Sequence, residues 1–195
     1  RTLGHYRVAA DRYQALLARG PGADGSGRWL LSLAEVEEAR GRSREALGAY
    51  RRWLSSHEDD PAASTVRLAT ARLLIAVGQR DEAWASLEAI VAGDDPLLAA
   101  QAFLLQGRIA FEERDYGAAL DAAAKAAEGL PAASPAHALA RWRMARALEE
   151  IGRSTDAATH YRWLAEHAEE AEVRHASEER LARMMAKAKE AKTTP

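Results

Sequence analysis

Few residues of this chain have the types and spacing to do chemistry. The stretch GADGSGR, Gly22 to Arg28, has the glycine spacing of a phosphate-binding loop. In such a loop backbone amides close around the phosphate, and a Lys followed by Ser or Thr completes the site. Arg28 and Trp29 stand where those two residues belong, and no strand-like run precedes the loop to aim its amides. Metal binding needs ligands on one face. His5, His57, His137, His160, His167 and His175 include no two that are three or four residues apart, so no helix turn presents a facing pair. The carboxylates of Glu35, Glu37 and Glu38, or of Glu169 and Glu170, fall in charge runs of the kind that solvate a helix face. With no Cys in the chain, thiolate ligands, thiol nucleophiles and disulfides are all excluded. Nothing pairs a nucleophile with a base and an orienting group, and the expectation is a protein with no catalytic residue, no cofactor and no metal.

What remains is binding, and binding depends on the elements that carry the side chains. The 195 residues are 48% hydrophobic and 29% charged, ordinary values for a folded chain with a sizeable core. Ala, Leu, Glu and Arg dominate, while β-branched residues are sparse and never alternate over a strand length, so the fold class is all-α. A formal net charge of −2 provides no broad basic field for nucleic acid. No apolar run approaches the roughly 18 residues of a membrane span. The 23 Arg against four Lys are a bias typical of GC-rich bacterial genomes. Arg1 rather than Met opens the chain, from which we expect an upstream segment to have been removed.

An internal period organises everything else. Turn residues fall at Gly4, Gly41, Gly78, Arg114 and Gly152, spaced by 37, 37, 36 and 38. Five residues after each comes Ala9, Ala46, Ala83, Ala119 and Ala157, an unbroken column of one small residue. Seven residues before the later turns stand Ala34, Ala71, Gly107 and Ala145, and Ala182 continues that register. Two antiparallel helices cross closely only where side chains are small, so the two columns predict a helix pair per period, crossing at its middle. Nine after each turn come Tyr13, Tyr50, Leu87, Ala123 and Tyr161, on the same face of the second helix. The predicted pairs are about 28–40 with 43–57, 62–77 with 80–92, 97–113 with 116–128 and 135–151 with 154–167. A lone helix is expected at 171–190, and Gly20 to Gly27 reads as a flexible turn.

At these residues the chain resembles the tetratricopeptide repeat family, whose unit has small residues at the helix crossing, a Gly turn, an aromatic in the second helix and a closing Pro. GHYRVAADRYQALLARGP at Gly4 to Pro21 and GRSREALGAYRRWL at Gly41 to Leu54 carry the resemblance best. Its units are longer than the family's usual 34 residues, with the excess in SSHEDDPAAS and LPAASP, and Arg67 and Arg141 stand where an apolar residue is common. The resemblance implies a right-handed α-α superhelix of about ten antiparallel helices, a single array over 1–195. It would comprise a half repeat at 1–20, repeats at about 28–60, 61–95, 96–131 and 134–168, a C-terminal helix at 171–190 and a polar tail at 191–195.

Such a superhelix lines its concave side with first-helix residues that point away from the second helix. Ten before each turn these are Leu31, Leu68, Leu104 and Trp142; six before it, Glu35, Arg72, Arg108 and Arg146; three before it, Glu38, Ile75, Phe111 and Glu149. An apolar row beside a row of Arg implies a protein or peptide ligand with acidic and hydrophobic residues. The competing reading is that these Leu pack against neighbouring repeats and these Arg pair with a Glu one turn away. The chain has no Asn, and Leu31, Leu68 and Arg72 occupy the places where some family members clamp a C-terminal carboxylate, so that subclass is not expected. An apolar face of the first helix, from Tyr6, Ala10, Tyr13 and Leu17, is expected to be covered by an upstream helix or by homo-association. The functional expectation is a scaffold that holds partner proteins in an assembly. Pro and small residues at the unit junctions look like those of bacterial envelope lipoproteins and periplasmic assembly coordinators. A regulatory domain of a cytoplasmic signalling or transcription protein, and an accessory domain of an enzyme lying outside this stretch, are the alternatives.

Overall fold

A computed structural model describes residues 2–19 and 25–193, and every regular element among them is a helix. The ten helices are α1 (Thr2–Leu17), α2 (Ser26–Ala39), α3 (Ser43–Ser56), α4 (Ala63–Ala76), α5 (Arg80–Val91), α6 (Pro96–Glu112), α7 (Tyr116–Gly129), α8 (Pro135–Glu150), α9 (Ser154–His167) and α10 (Ala171–Thr193). The bounds of α2 to α9 fall within two residues of those expected from the period. Part of the glycine-rich turn, 20–24, and the last two residues of the expected polar tail lie outside the described residues. The helix expected to stop at 190 continues to Thr193. Ala, Lys and Glu in that segment are strong helix formers, which favours carrying the helix a turn further.

Each first helix ends in the same way. Gly41, Gly78, Arg114 and Gly152 adopt φ of 72°, 82°, 65° and 81°, the left-handed conformation that reverses the chain. The amide two positions past the helix end then reaches back to a carbonyl five residues earlier: Arg42 to Glu37, Gln79 to Leu74, Asp115 to Ala110 and Arg153 to Leu148, at 2.8–2.9 Å. Four turns are thus one Schellman closure repeated, and Arg114 alone adopts it with a Cβ. Starts are set locally too. Asp95 and Ser134 cap α6 and α8 by accepting from the amides of Leu97 and Leu98, and of His137, each with Pro at the first helical position.

The chain forms two compact units, Arg1–Ile90 and Val91–Pro195. In the first, α1 packs on α2, α2 on α3 and α3 on α4, around Leu33, Tyr50, Trp53, Leu74 and Leu87. Arg51 of α3 pairs with Glu82 of α5 at 2.6 Å. In the second, α6 to α10 pack in succession and α6 also touches α8. Its largest cluster holds Leu148, Tyr161 and Leu164 with Trp142, Trp163 and Leu181 at its margin.

The small-residue columns lie where the helices cross. Ala46, Ala83, Ala119 and Ala157 are 0–2% exposed, and Ala34, Ala71, Gly107 and Ala145 are buried as well. A Cβ on Gly107 would lie 3.3 Å from the Ala119 carbonyl oxygen and 3.4 Å from the Ala122 methyl, so α6 and α7 meet nearly backbone to backbone. Ala182, in the same register on α10, is exposed because no following helix crosses it among the described residues. The expected apolar face of α1 needs correction. Of its four residues Ala10 is fully buried and Tyr13 and Leu17 are half-buried, since α1 already lies against α2; among the described residues of α1, the large apolar side chains left exposed are Tyr6 and Val8.

Candidate functional site

In the second unit the first helices α6, α8 and α10 carry two clefts that meet on α8. The smaller, about 300 Å³, lies between α6 and α8. Gly107, Arg108, Phe111 and Glu112 line it from α6, and Leu139, Trp142, Arg143 and Arg146 from α8. Arg108, Phe111, Trp142 and Arg146, all predicted from the sequence, are therefore neighbours. Helical spacing explains the alignment: positions 139, 142, 143 and 146 recur every three or four residues and share one face of α8.

Each cleft residue is held in place. The Arg146 guanidinium lies 5.0 Å over the Phe111 ring, an arrangement that leaves its edge donors for a planar anion. Arg108 Nε donates to Glu112 at 2.9 Å, one turn along the same helix. Trp142 meets Tyr161 edge-on at 5.4 Å, and the Tyr161 hydroxyl donates to Glu149 at 2.6 Å. Arg143 donates to the carbonyl of Leu104 on α6, and burial first, then the charge of Arg108, pushes its pKa down to about 10. Arg108 and Arg143 thus both act on the Glu112 carboxylate while repelling each other, and Arg146 lines the same cleft.

The larger cleft, about 480 Å³, lies between the N-terminal halves of α8 and α10, with Trp163 of α9 in its wall. Its lining is mostly apolar, with Ala138, Leu139, Trp142, Trp163, Val173 and Ala176, and Glu169, Glu170 and Glu172 line it too. Leu139 is 42% exposed. Arg141 lies over the Trp163 ring at 4.2 Å, and the His167 imidazole stacks on it at 4.9 Å, so Trp163 is fixed before any ligand arrives. The His167 ring also bonds through Nδ1 to the Trp163 carbonyl at 2.9 Å, as His57 does to that of Trp53 at 3.0 Å; both stand at helix C-termini, the capping role open to a lone His.

The other sequence-predicted residues divide clearly. Leu68, Ile75 and Leu104 are 4%, 5% and 7% exposed and belong to the core, so they offer no surface to a ligand. Leu104 packs with Ala100, Ala126, Leu130 and Ala140, the contact with a neighbouring repeat that the competing reading described. Leu31 is half-buried, and Glu35 and Arg72 are exposed on the first unit. Glu38 accepts from the Tyr50 hydroxyl at 3.2 Å, matching the Glu149–Tyr161 bond, so the carboxylates three before the turn tie first helix to second. Both tyrosine hydroxyls are held well above their ordinary pKa, by burial first and then by these carboxylates. In the middle repeats the same two positions are Ile75 with Leu87 and Phe111 with Ala123, apolar together. Arg143, Leu139 and Trp163 were missed. All three break their columns: Arg143 stands where other repeats have Ser32, Ala69 and Leu105, Leu139 where they have Arg28, Thr65 and Gln101, and Trp163 where they have Arg52, Ala89 and Lys125.

Among known families, the model of the tetratricopeptide repeat matches residues 1–63 and 68–136, more than half of the chain. The chain belongs to the tetratricopeptide repeat family. Its register continues past the matched region, through α8, α9 and α10. No curated protein matches it. Among solved structures, two crystal structures of MamA are similar to it. One has a TM-score of 0.60 at 19% identity, covering 88% of this chain and 97% of that one; the other has 0.58 at 19%, covering 82% and 97%. At that identity the likeness is one of fold. The tetratricopeptide fold is an interaction scaffold rather than a catalytic one, and among the described residues no group of three or more His, Asp or Glu is placed to hold a metal.

Proposed function

We propose that this tetratricopeptide repeat protein holds a partner protein by a peptide or helix seated on α6 and α8, within a bacterial multiprotein assembly of the cell envelope. The observation that carries the reading is the cleft that gathers Arg108, Arg143 and Arg146 around Phe111 and Trp142. Guanidinium groups beside aromatic rings suit a segment with an acidic side chain next to an apolar one, since the charge finds bidentate donors while its neighbour leaves water. Arg72 and Glu35 lie on the other unit and are not needed by this site. The assignment to the envelope rests on the composition of the unit junctions.

The test is affinity capture with the full chain as bait, followed by titration of the captured partner against Arg108→Glu and Trp142→Ala. Loss of affinity in both supports the reading; unaltered affinity in both moves the binding surface off this cleft. Cell fractionation of the expressing bacterium separates the envelope from the alternative of a cytoplasmic regulatory domain.

A further inference from the structure

The apolar cleft between α8 and α10 has features that the Arg cleft does not explain. It is the larger of the two, it is walled by a Trp held rigid by Arg141 and His167, and its mouth carries Glu169, Glu170 and Glu172. All three carboxylates are exposed and none makes an ion pair among the described residues. Leu139 and Trp142 line this cleft and the Arg cleft alike, so the two are one continuous surface with opposite charge at its ends. Leu139 and Trp163 occupy positions that are polar or small in the other repeats, so repeat geometry alone gives no reason for them.

We propose that the α8–α10 cleft is a second subsite of the same groove, taking an apolar side chain flanked by Lys or Arg, so that the ligand is a charge-polarised segment read in one direction. This rests on the Arg-cleft reading and adds to it the basic end, the anchor and the spacing. A basic residue sits against Glu169, Glu170 and Glu172; a Leu, Phe or Trp enters between Leu139, Trp142, Trp163 and Val173; an acidic residue reaches Arg108 and Arg146. From Leu139 to Arg146 is two turns of α8, about 10 Å at 1.5 Å per residue, which an extended ligand crosses in about three residues and a helical one in about seven. Reversing such a segment sets its acid against the glutamates and its base against the arginines. Like-charge contact at both ends is what fixes direction.

The experiment is selection of random peptides of about twelve residues displayed on phage, with the full chain as the immobilised target, followed by titration of the enriched peptides in solution. The expected consensus is basic, then apolar, then acidic at the spacing above, in a single orientation. Glu169→Gln, Glu170→Gln and Glu172→Gln combined should erase the basic preference, weaken the peptides roughly five- to tenfold and reduce the salt dependence of binding, while thermal melting is unchanged because the three side chains are exposed. A consensus of apolar and acidic residues alone, indifferent to the triple variant and abolished by Arg108→Glu, would overturn the second subsite and leave the Arg cleft standing. A consensus with no acidic residue, or no enrichment, would overturn both.

Discussion

At the scale of single residues, the four left-handed turns isolate one unfavourable choice. A Cβ in the left-handed region costs roughly 1–2 kcal/mol, and Arg114 is the one described non-glycine residue with positive φ. Arg114→Gly should therefore stabilise the protein by about 0.5–1 kcal/mol after the larger chain entropy of Gly is deducted, whereas Gly78→Ala should destabilise it by about 1 kcal/mol. Denaturant midpoints measure both; equal midpoints for Arg114→Gly and the parent would mean that the Arg side chain returns what its backbone costs. A second residue makes stability depend on pH. His160 has a buried Nδ1 without a hydrogen-bond partner, and burial, then the Arg141 charge, lowers its pKa against the opposing pull of Asp156. Because the folded pKa lies below the unfolded one, the neutral ring's stability is intact above about pH 6.5 and is lost as the pH falls through the folded value. Replacement by Gln should flatten melting temperature against pH over that acidic window, and a parallel curve for the variant would rule out His160 as a source of the acid sensitivity.

At the scale of elements, the sequence was most legible where two backbones approach. A crossing admits only Gly or Ala whichever partner the protein binds, so the columns at Ala119 and Gly107 repeat and the helix bounds follow from them. The first-helix face was harder to read. Positions ten and three before the turn differ in exposure from repeat to repeat. Leu68, Ile75 and Leu104 are buried, Leu104 beside Ala140 of α8, while Phe111 and Trp142 are partly open. Regular recurrence marked the scaffold; the two clefts are lined where the repeat is broken, at Leu139, Arg143 and Trp163. A search for irregular residues within the columns would have found these three. The crossings themselves are tested by Ala119→Leu, which places extra methylenes between α6 and α7 and should destabilise by about 1–3 kcal/mol through overpacking. A melting temperature equal to the parent's would show that the helices part without penalty and that the column has another cause.

At the scale of the whole molecule, the proposed function makes stability and binding draw on different residues, and that separation is itself testable. The packing of α6 to α9 rests on Ala119, Ala157, Tyr161 and Leu164, all buried, whereas the Arg108 guanidinium is half exposed and pairs with Glu112 one turn along its own helix. Arg108→Glu removes one i, i+4 pair with Glu112 and creates a repulsive one, a cost of only about 0.5–1 kcal/mol in a surface helix. In the cleft the same change reverses a charge that sits beside Arg143 and Arg146, and it should weaken a partner bound there by roughly 1–3 kcal/mol. Trp142→Ala should weaken binding by a similar amount through lost apolar contact, yet leave the salt dependence intact, because the guanidinium groups remain. Titrations of both variants at two salt concentrations, with melting curves recorded alongside, resolve the contributions. If Arg108→Glu lowered the melting temperature as much as Ala119→Leu does, its effect on binding would be a consequence of lost fold, and the arginines of this cleft would belong to the scaffold rather than to the site.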